Sequence, residues 1–403
     1  MPKALSKIML VLSAAVCFAS GCANEPQKAL LTATDTNKAH IEASNAFAMK
    51  LGGALLTDSS ANRFISPVSV SMALSLALNG ARGETKAEML QALQIKGISD
   101  HELNKGSQAL LEVLAHTDAD ITAAIANSVW IQEGIALHKA FASQAKEYYG
   151  AAVKPVDFSD KKAVETINEW VSRQTDGAIP KMIEQLTGAE TATLINAISF
   201  KGSWSAPFES ANTRTAAFQL SSGQTVSAPM MNQIGTFDYA RGDNFETLRL
   251  PYGNAKTWRM ILVLPSASSS LADVLPDLLL KPEAWRTNLK SVSGSVSFPK
   301  FTLESDFKLA EALRELGMKA AFDLSRADFT GMADLGSAFY INEVLHRTRI
   351  QVDEQGTQAA AATAVLVEGG AMLAANRPFF FAIEEQTTGA IAFMGIVADP
   401  TVP

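Results

Sequence analysis

Cysteine is almost absent. The 403 residues hold only Cys17 and Cys22, too few for a disulfide-stapled scaffold or a four-cysteine zinc site. Histidine is nearly as sparse: His40, His101, His116, His138 and His346 are scattered with no HExxH spacing, which argues against a metal hydrolase. Only 19% of residues are charged, the net charge is −7, and no run of Lys and Arg occurs. Nucleic-acid binding needs a basic face, so that class is set aside. Catalytic signatures are missing as well: there is no GxSxG elbow, no GxGxxG fingerprint and no GxxxxGK[ST] loop. Ser-x-x-Lys occurs at Ser143/Lys146, Ser159/Lys162 and Ser305/Lys308, without an SDN or KTG partner. Two common residues at one spacing arise by chance. Scattered Asp and Glu can still converge in space, so a hydrolase with an unfamiliar site stays open at this point. No cofactor and no metal is expected.

What is present is an apolar, foldable chain. A hydrophobic fraction of 47% supports a large core and is too high for a disordered protein. Residues 1–21 follow the order of a secretory signal: Lys3 and Lys7, an apolar run over 8–18, then Ala19-Ser20-Gly21 before Cys22. The run is too short for a bilayer core of roughly 30 Å. One reading is ordinary cleavage near Ala19 or Gly21. The other, taken as the expectation, is a bacterial lipoprotein site with Cys22 as the lipidated first residue, although Ala19 stands where Leu is usual. Ala23 in place of Asp then points to outer-membrane retention in a two-membrane bacterium; without the lipid, the chain is expected in the periplasm or outside the cell. Residues 22–38 are small and polar, the composition of a tether.

From residue 39 the chain reads as α+β. Helical spacing covers 40–53, 68–79, 85–93, 138–149 and 161–175, and Gly follows several of these. Residues 120–132 and 194–200 are β-like. Beyond 210, short alternating or apolar runs between Gly, Asn and Pro predict antiparallel sheet at 218–220, 225–231, 236–240, 245–250, 260–264 and 296–303. A helix is expected at 307–316, then strands at 339–344, 348–352, 379–383 and 391–397. No repeat and no Pro- or Ser-rich linker interrupts the middle, so one domain over 39–403 is expected.

The most unusual stretch runs from Glu354 to Gly370, EQGTQAAAATAVLVEGG. It lies between two strands yet carries small residues where a tight turn is usual. An Ala-rich helix or a solvated loop are the plain readings. The alternative is a segment that enters a sheet: Thr357, Ala359, Ala361 and Thr363 would share one face, and small side chains there meet little steric resistance.

These residues resemble the serpin family. Glu354-x-Gly356-Thr357-x-Ala359-Ala360-Ala361-Ala362-Thr363 is similar to the hinge of inhibitory members, and Asn376-Arg377-Pro378-Phe379-Phe380-Phe381 to the signature after the reactive loop. Phe64-Ile-Ser-Pro-Val-Ser69, Asn168-x-Trp170-Val171, the stretch from Leu194 to Trp204 and Pro207-Phe208 follow the family order. The resemblance implies a serpin fold with three β-sheets, about eight or nine helices and an exposed reactive loop at about 354–377. It implies no enzyme but a suicide-substrate inhibitor: a protease cuts the loop, and the hinge inserts as a central strand before the acyl-enzyme can hydrolyse. The expected partner is a target protease, serine or papain-like cysteine; the chain is expected to be monomeric and to meet a membrane only through its lipid.

Other residues take roles from the same resemblance. Trp204 stands where the loop first enters the sheet. Ser66, Ser69, Asn196 and His346 match a polar cluster beneath the strands that part, and Lys300 with Glu354 an ion pair steadying the hinge. Without the resemblance, Trp204 reads as core and His346 as a satisfied buried histidine. The alternative function is a non-inhibitory member used for binding or chaperoning, but such members carry bulky, charged or Pro residues where this hinge has Thr and Ala. Two spacings place the reactive bond differently: from Glu354 it is Gly370–Ala371, the first choice, and from Pro378 it is Val367–Glu368, the second. No Lys or Arg lies between Glu354 and Asn376, so an elastase- or subtilisin-like protease is the expected target.

Overall fold

A computed structural model describes residues 31–116, 118–334, 339–356 and 373–403. The first half holds α1 (Lys38–Leu55), β1 (Arg63–Ile65), α2 (Pro67–Gly80), α3 (Gly83–Ala92), α4 (Asp100–His116), β2 (Ile121–Gln132), α5 (Lys139–Tyr149), β3 (Ala152–Val156), α6 (Lys162–Gln174) and β4 (Ala192–Gly202). Then come β5 (Arg214–Gln219), β6 (Thr225–Arg241), β7 (Phe245–Tyr252), β8 (Trp258–Pro265), α7 (Leu271–Leu280), α8 (Glu283–Arg286), β9 (Lys290–Pro299) and β10 (Phe301–Lys308). The chain closes with α9 (Ala310–Glu315), β11 (Glu343–Val352), β12 (Leu373–Ala374), β13 (Phe379–Glu385) and β14 (Ala390–Val397). Nine α-helices are thus present among the described residues, and the class is α+β as expected.

The strands form two hydrogen-bonded networks. The smaller has five strands in the order β10-β11-β4-β2-β3, with β11 and β4 parallel at its centre. The larger has nine, ordered β1-β14-β13-β8-β7-β6-β9-β12, with β5 added to β6. Three sheets were expected. They merge into two networks because β6 runs unbroken through the two strands read at 225–231 and 236–240, pairing with β5 at its start, with β9 along most of its length and with β7 at its end.

Helix α2 sits between the networks, against β14, β4 and β2. Every residue of it except Asn79 is buried, so it is enclosed on all sides; its side chains are mostly apolar, with Ser69, Ser71 and Ser75 among them. Pro67 occupies its first turn, where a missing N–H costs nothing. The main core then runs from α1 through Phe47 and Leu51 to the aromatic stack of Phe64 on Phe381 and Phe393. Part of the polar tether belongs to this body: Ala33–Asp35 form a 3₁₀ turn with Thr32 and Asp35 capping each other, and Asn37 caps α1 by accepting from the His40 N–H. Among the described residues no helix is long and apolar enough to cross a membrane.

Several local expectations are corrected. The run 296–303 is not one strand: Pro299 ends β9 and the chain crosses at Lys300, whose N–H bonds Pro229 O, into β10 of the other network. The helix read at 307–316 loses Phe307 and Lys308 to β10, where they pair with His346 and Leu345 of β11. The strands read at 339–344 and 348–352 are one, beginning at Glu343, because Leu345, His346 and Arg347, which lie between the two, keep the register with β10 and β4. Helix α4, unassigned by periodicity, starts with reciprocal bonds between Ser99 and Glu102. Its buried side includes Asn104, Ser107 and Gln108 among the leucines, which blunts the amphipathic signal.

Candidate functional site

The residues singled out from the sequence meet along one strand pair, β4 with β11. Asn196 and His346 are register partners across it. His346 is fully buried, and the backbone N–H of Ser66 donates to its Nε2 at 3.0 Å. That contact makes Nε2 the acceptor, so Nδ1 carries the proton and donates to Asn196 Oδ1 at 2.5 Å. The Asn196 amide in turn donates to Ser69 Oγ and, at 2.6 Å, to Asn127 Oδ1. Ser66 Oγ donates to Ala392 O at 2.8 Å, tying α2 to β14. All four expected polar residues are therefore in one network. Burial pushes the His346 pKa down to about 3, so the ring is neutral at ordinary pH.

Three further members were not singled out. Asn127 belongs to β2, Thr348 Oγ1 donates to Phe64 O at 2.6 Å, and Ser305 Oγ accepts from the Phe64 N–H at 2.9 Å. The signal available for Asn127 is a polar pair, Asn127-Ser128, set between the apolar runs 123–126 and 129–131 of β2. Ser305 carries in the sequence only its chance spacing to Lys308.

A second cluster closes the end of the same strand pair, where β11 leads into residues 353–356. Trp204 lies just past β4. Its Nε1 donates to Asp353 O at 2.9 Å and its backbone N–H to Gln355 O at 3.1 Å. Its ring stacks on Tyr252 at 4.1 Å, with Phe208 and Phe298 edge-on around it. Lys300 Nζ is 2.7 Å from Glu354 Oε2, and Thr213 Oγ1 donates to Oε1 at 2.7 Å. Burial works against the charge on Glu354, but the bonds from Lys300 and Thr213 outweigh it and hold the carboxyl below its usual range. Gly356 has φ +83°, and a Cβ there would strike the backbone of Gly202 and Trp204. Only glycine lets the chain turn at this point.

The remaining hinge residues Thr357, Ala359, Ala361 and Thr363, both candidate bonds (Gly370–Ala371 and Val367–Glu368), the signal segment and Cys22 lie outside the described residues. No group of three or more His, Cys, Asp and Glu is placed to hold a metal among the described residues. Both clusters are networks of hydrogen bonds, with no nucleophile–base pair among them.

Comparison with known proteins agrees with this geometry. The family profile Serpin (serine protease inhibitor) matches residues 42–400. An uncharacterised serpin-like protein of Thermococcus kodakarensis is 34% identical over 355 residues, covering 84% of this chain and 81% of that protein. The leukocyte elastase inhibitor of Bos taurus is 33% identical over 360 residues, covering 84% and 93%. Among solved structures, the thermophilic serpin tengpin in its native state superposes with a TM-score of 0.81 at 32% identity, covering 89% of this chain and 94% of the other. With a profile that spans both strand networks and the two clusters between them, this chain belongs to the serpin family.

Proposed function

We propose that the chain is an irreversible protease inhibitor that traps an acyl-enzyme by inserting its cut loop between β4 and β11. The observation that carries this reading is the turn at the end of β11. Asp353 and Gly356 already form an antiparallel bridge. Continued along β11, that register sets residue 357 opposite Val352 and residue 366 opposite Glu343, the far end of the strand. Thr357, Ala359, Ala361 and Thr363 then share the face of Val352, Ile350, Thr348 and His346, all buried, while Gln358 falls opposite the exposed Gln351. Thr363 comes between His346 and Asn196, where its hydroxyl can take up the bond that the two lose on parting. Small residues and threonines thus fall where a new strand must be buried.

The same register bears on the reactive bond. The strand pair is filled at residue 366, so cleavage after Val367 or after Gly370 leaves enough chain, and length does not separate the two. Side-chain chemistry then favours Val367–Glu368, because valine fills a shallow apolar pocket and glycine offers almost nothing to hold. An elastase- or subtilisin-like target follows, in keeping with the inhibitor of leukocyte elastase among the relatives.

Incubation with elastase or subtilisin is expected to give an SDS-stable species at the summed mass. Thr357→Arg should abolish it while cleavage continues, since a guanidinium would have to be buried between strands. A Thr357→Arg chain that traps protease with unchanged stoichiometry contradicts insertion, and a wild-type chain that is cut without trapping favours the binding or chaperone reading. The proposed location is the cell envelope through a lipid on Cys22. Cys22→Ala should move the protein from the membrane fraction to the soluble one, and a wild-type chain found wholly soluble would end that proposal.

A further inference from the structure

The outer face of the five-stranded network carries its own apolar layer. Trp170 and Val171 of α6, with Ile179 and Met182 after it, pack in one cluster with Ile195 of β4 and Leu345 of β11. The layer therefore straddles the boundary between those two strands. It is tied together internally. Asn168 Oδ1 accepts from the N–H groups of Met182 and Ile183 at 2.7 and 2.9 Å, and its amide donates to Ile183 O at 2.9 Å. The Thr175 hydroxyl accepts from the Ile179 N–H at 3.1 Å. Helix α6 and residues 175–183 form one bonded unit, which gives the Asn168-x-Trp170-Val171 motif a structural role.

Two arginines of β11 fasten this unit to the sheet. Arg347 Nη1 donates to Lys181 O, and Arg349 Nη1 donates to Ala178 O at 3.3 Å. The same side chains face acids directly opposite on β10: Arg347 lies 3.9 Å from Asp306 and Arg349 3.4 Å from Glu304. Each guanidinium thus reaches from β10, over β11, to a layer that also rests on β4.

We propose that Arg347 and Arg349 are a latch over the β4/β11 boundary, and that their release sets the rate at which a new strand can enter there. The inference rests on the insertion reading above and adds the residues that time the event. Admitting one strand moves β4 and β11 apart by about 4.8 Å. A hydrogen bond from a β11 side chain to a layer seated on β4 cannot span that added distance, so either the layer lifts or the arginines let go. Glu304 and Asp306 travel with β11 and offer the released guanidiniums a partner, which eases the opening.

The test is uptake of a synthetic peptide copying residues 357–366 by the full-length chain, followed on native gels. Arg347→Met with Arg349→Met keeps the aliphatic stems and should speed uptake about tenfold, the equivalent of one charge-assisted bond no longer broken during opening. Glu304→Gln with Asp306→Asn should slow it, because the latch then has no competitor. If the double methionine variant does not fold, Arg349→Met alone, the more exposed of the two, should still raise the rate about threefold, roughly half of that free-energy change. Equal rates in wild type and variants, or no uptake by any of them, overturn the latch. Because the assay contains no protease, a chain that traps no enzyme yet takes up peptide faster without its arginines would sink the inhibitor reading and leave the latch standing.

Discussion

His346 holds its place only as a neutral ring. The Ser66 N–H points at Nε2, so a proton there would set two donors face to face inside a fully buried cluster. Burial lowers its pKa to about 3, and burial likewise lowers that of His40, packed against Gly106 of α4, to about 4. In the unfolded chain both titrate near 6.5. Between that value and the folded ones the unfolded state binds protons that the folded state does not, so stability falls as pH falls. At pH 5 the loss is about 2 kcal/mol for each ring. Glu354 acts in the same direction at lower pH: its depressed folded pKa contributes stability above its ordinary range that is lost as the carboxylate protonates. The midpoint of denaturant unfolding should drop steadily from pH 7 to pH 5, and His346→Gln should flatten part of that slope. A midpoint unchanged over this range would show that the rings are solvated. Sequence reading reached Ser66, Ser69, Asn196 and His346 through a resemblance. It passed over Asn127, Thr348 and Ser305 because one polar residue in a strand carries no mark of its partner until the pairing is known.

Among the elements, the turn that follows β11 is the most constrained. Gly356 combines a positive φ with backbone from Gly202 and Trp204 where a Cβ would sit, so Gly356→Ala should cost about 1–3 kcal/mol through strain. The expected result is a midpoint lowered by a few degrees and a larger share of cut, untrapped chain with protease; a variant indistinguishable from wild type would mean that the turn is free to rearrange. Glycine at this position was legible, since the hinge pattern includes it. Element boundaries were less so. The run 296–303 looked like one strand because periodicity does not register a change of sheet, and only the bond from Lys300 N–H to Pro229 O marks the crossing. Helix α4 was hidden by Asn104, Ser107 and Gln108 on its buried side; Asn104 accepts from Tyr149 Oη at 2.6 Å and the Gln108 amide donates to Glu147 O at 3.0 Å. The gap read at 345–347 is closed in the structure: Arg347 stays in the ladder, and its head, like that of Arg349, reaches a backbone carbonyl of the covering layer.

At the scale of the molecule, hydrophobic periodicity identified the class but could not order the strands. Nothing in local pattern places β11 beside β4, whose residues lie some 150 positions earlier in the chain; that arrangement entered with the family resemblance. Its physical content is a five-stranded network whose central pair is parallel, held from within by the His346–Asn196 bond and from outside by α6 and the segment after it. A chain built in this way can hold its uncut form behind a kinetic barrier while a better-bonded form exists. Adding a strand between β4 and β11 supplies backbone bonds on both of its edges and buries the Thr and Ala face. The most direct measurement is thermal unfolding of the intact chain beside the same chain cut once in the loop. The account predicts that the cut form melts higher by about 20 °C or more, well beyond the shift a single local contact produces; equal melting temperatures would contradict it.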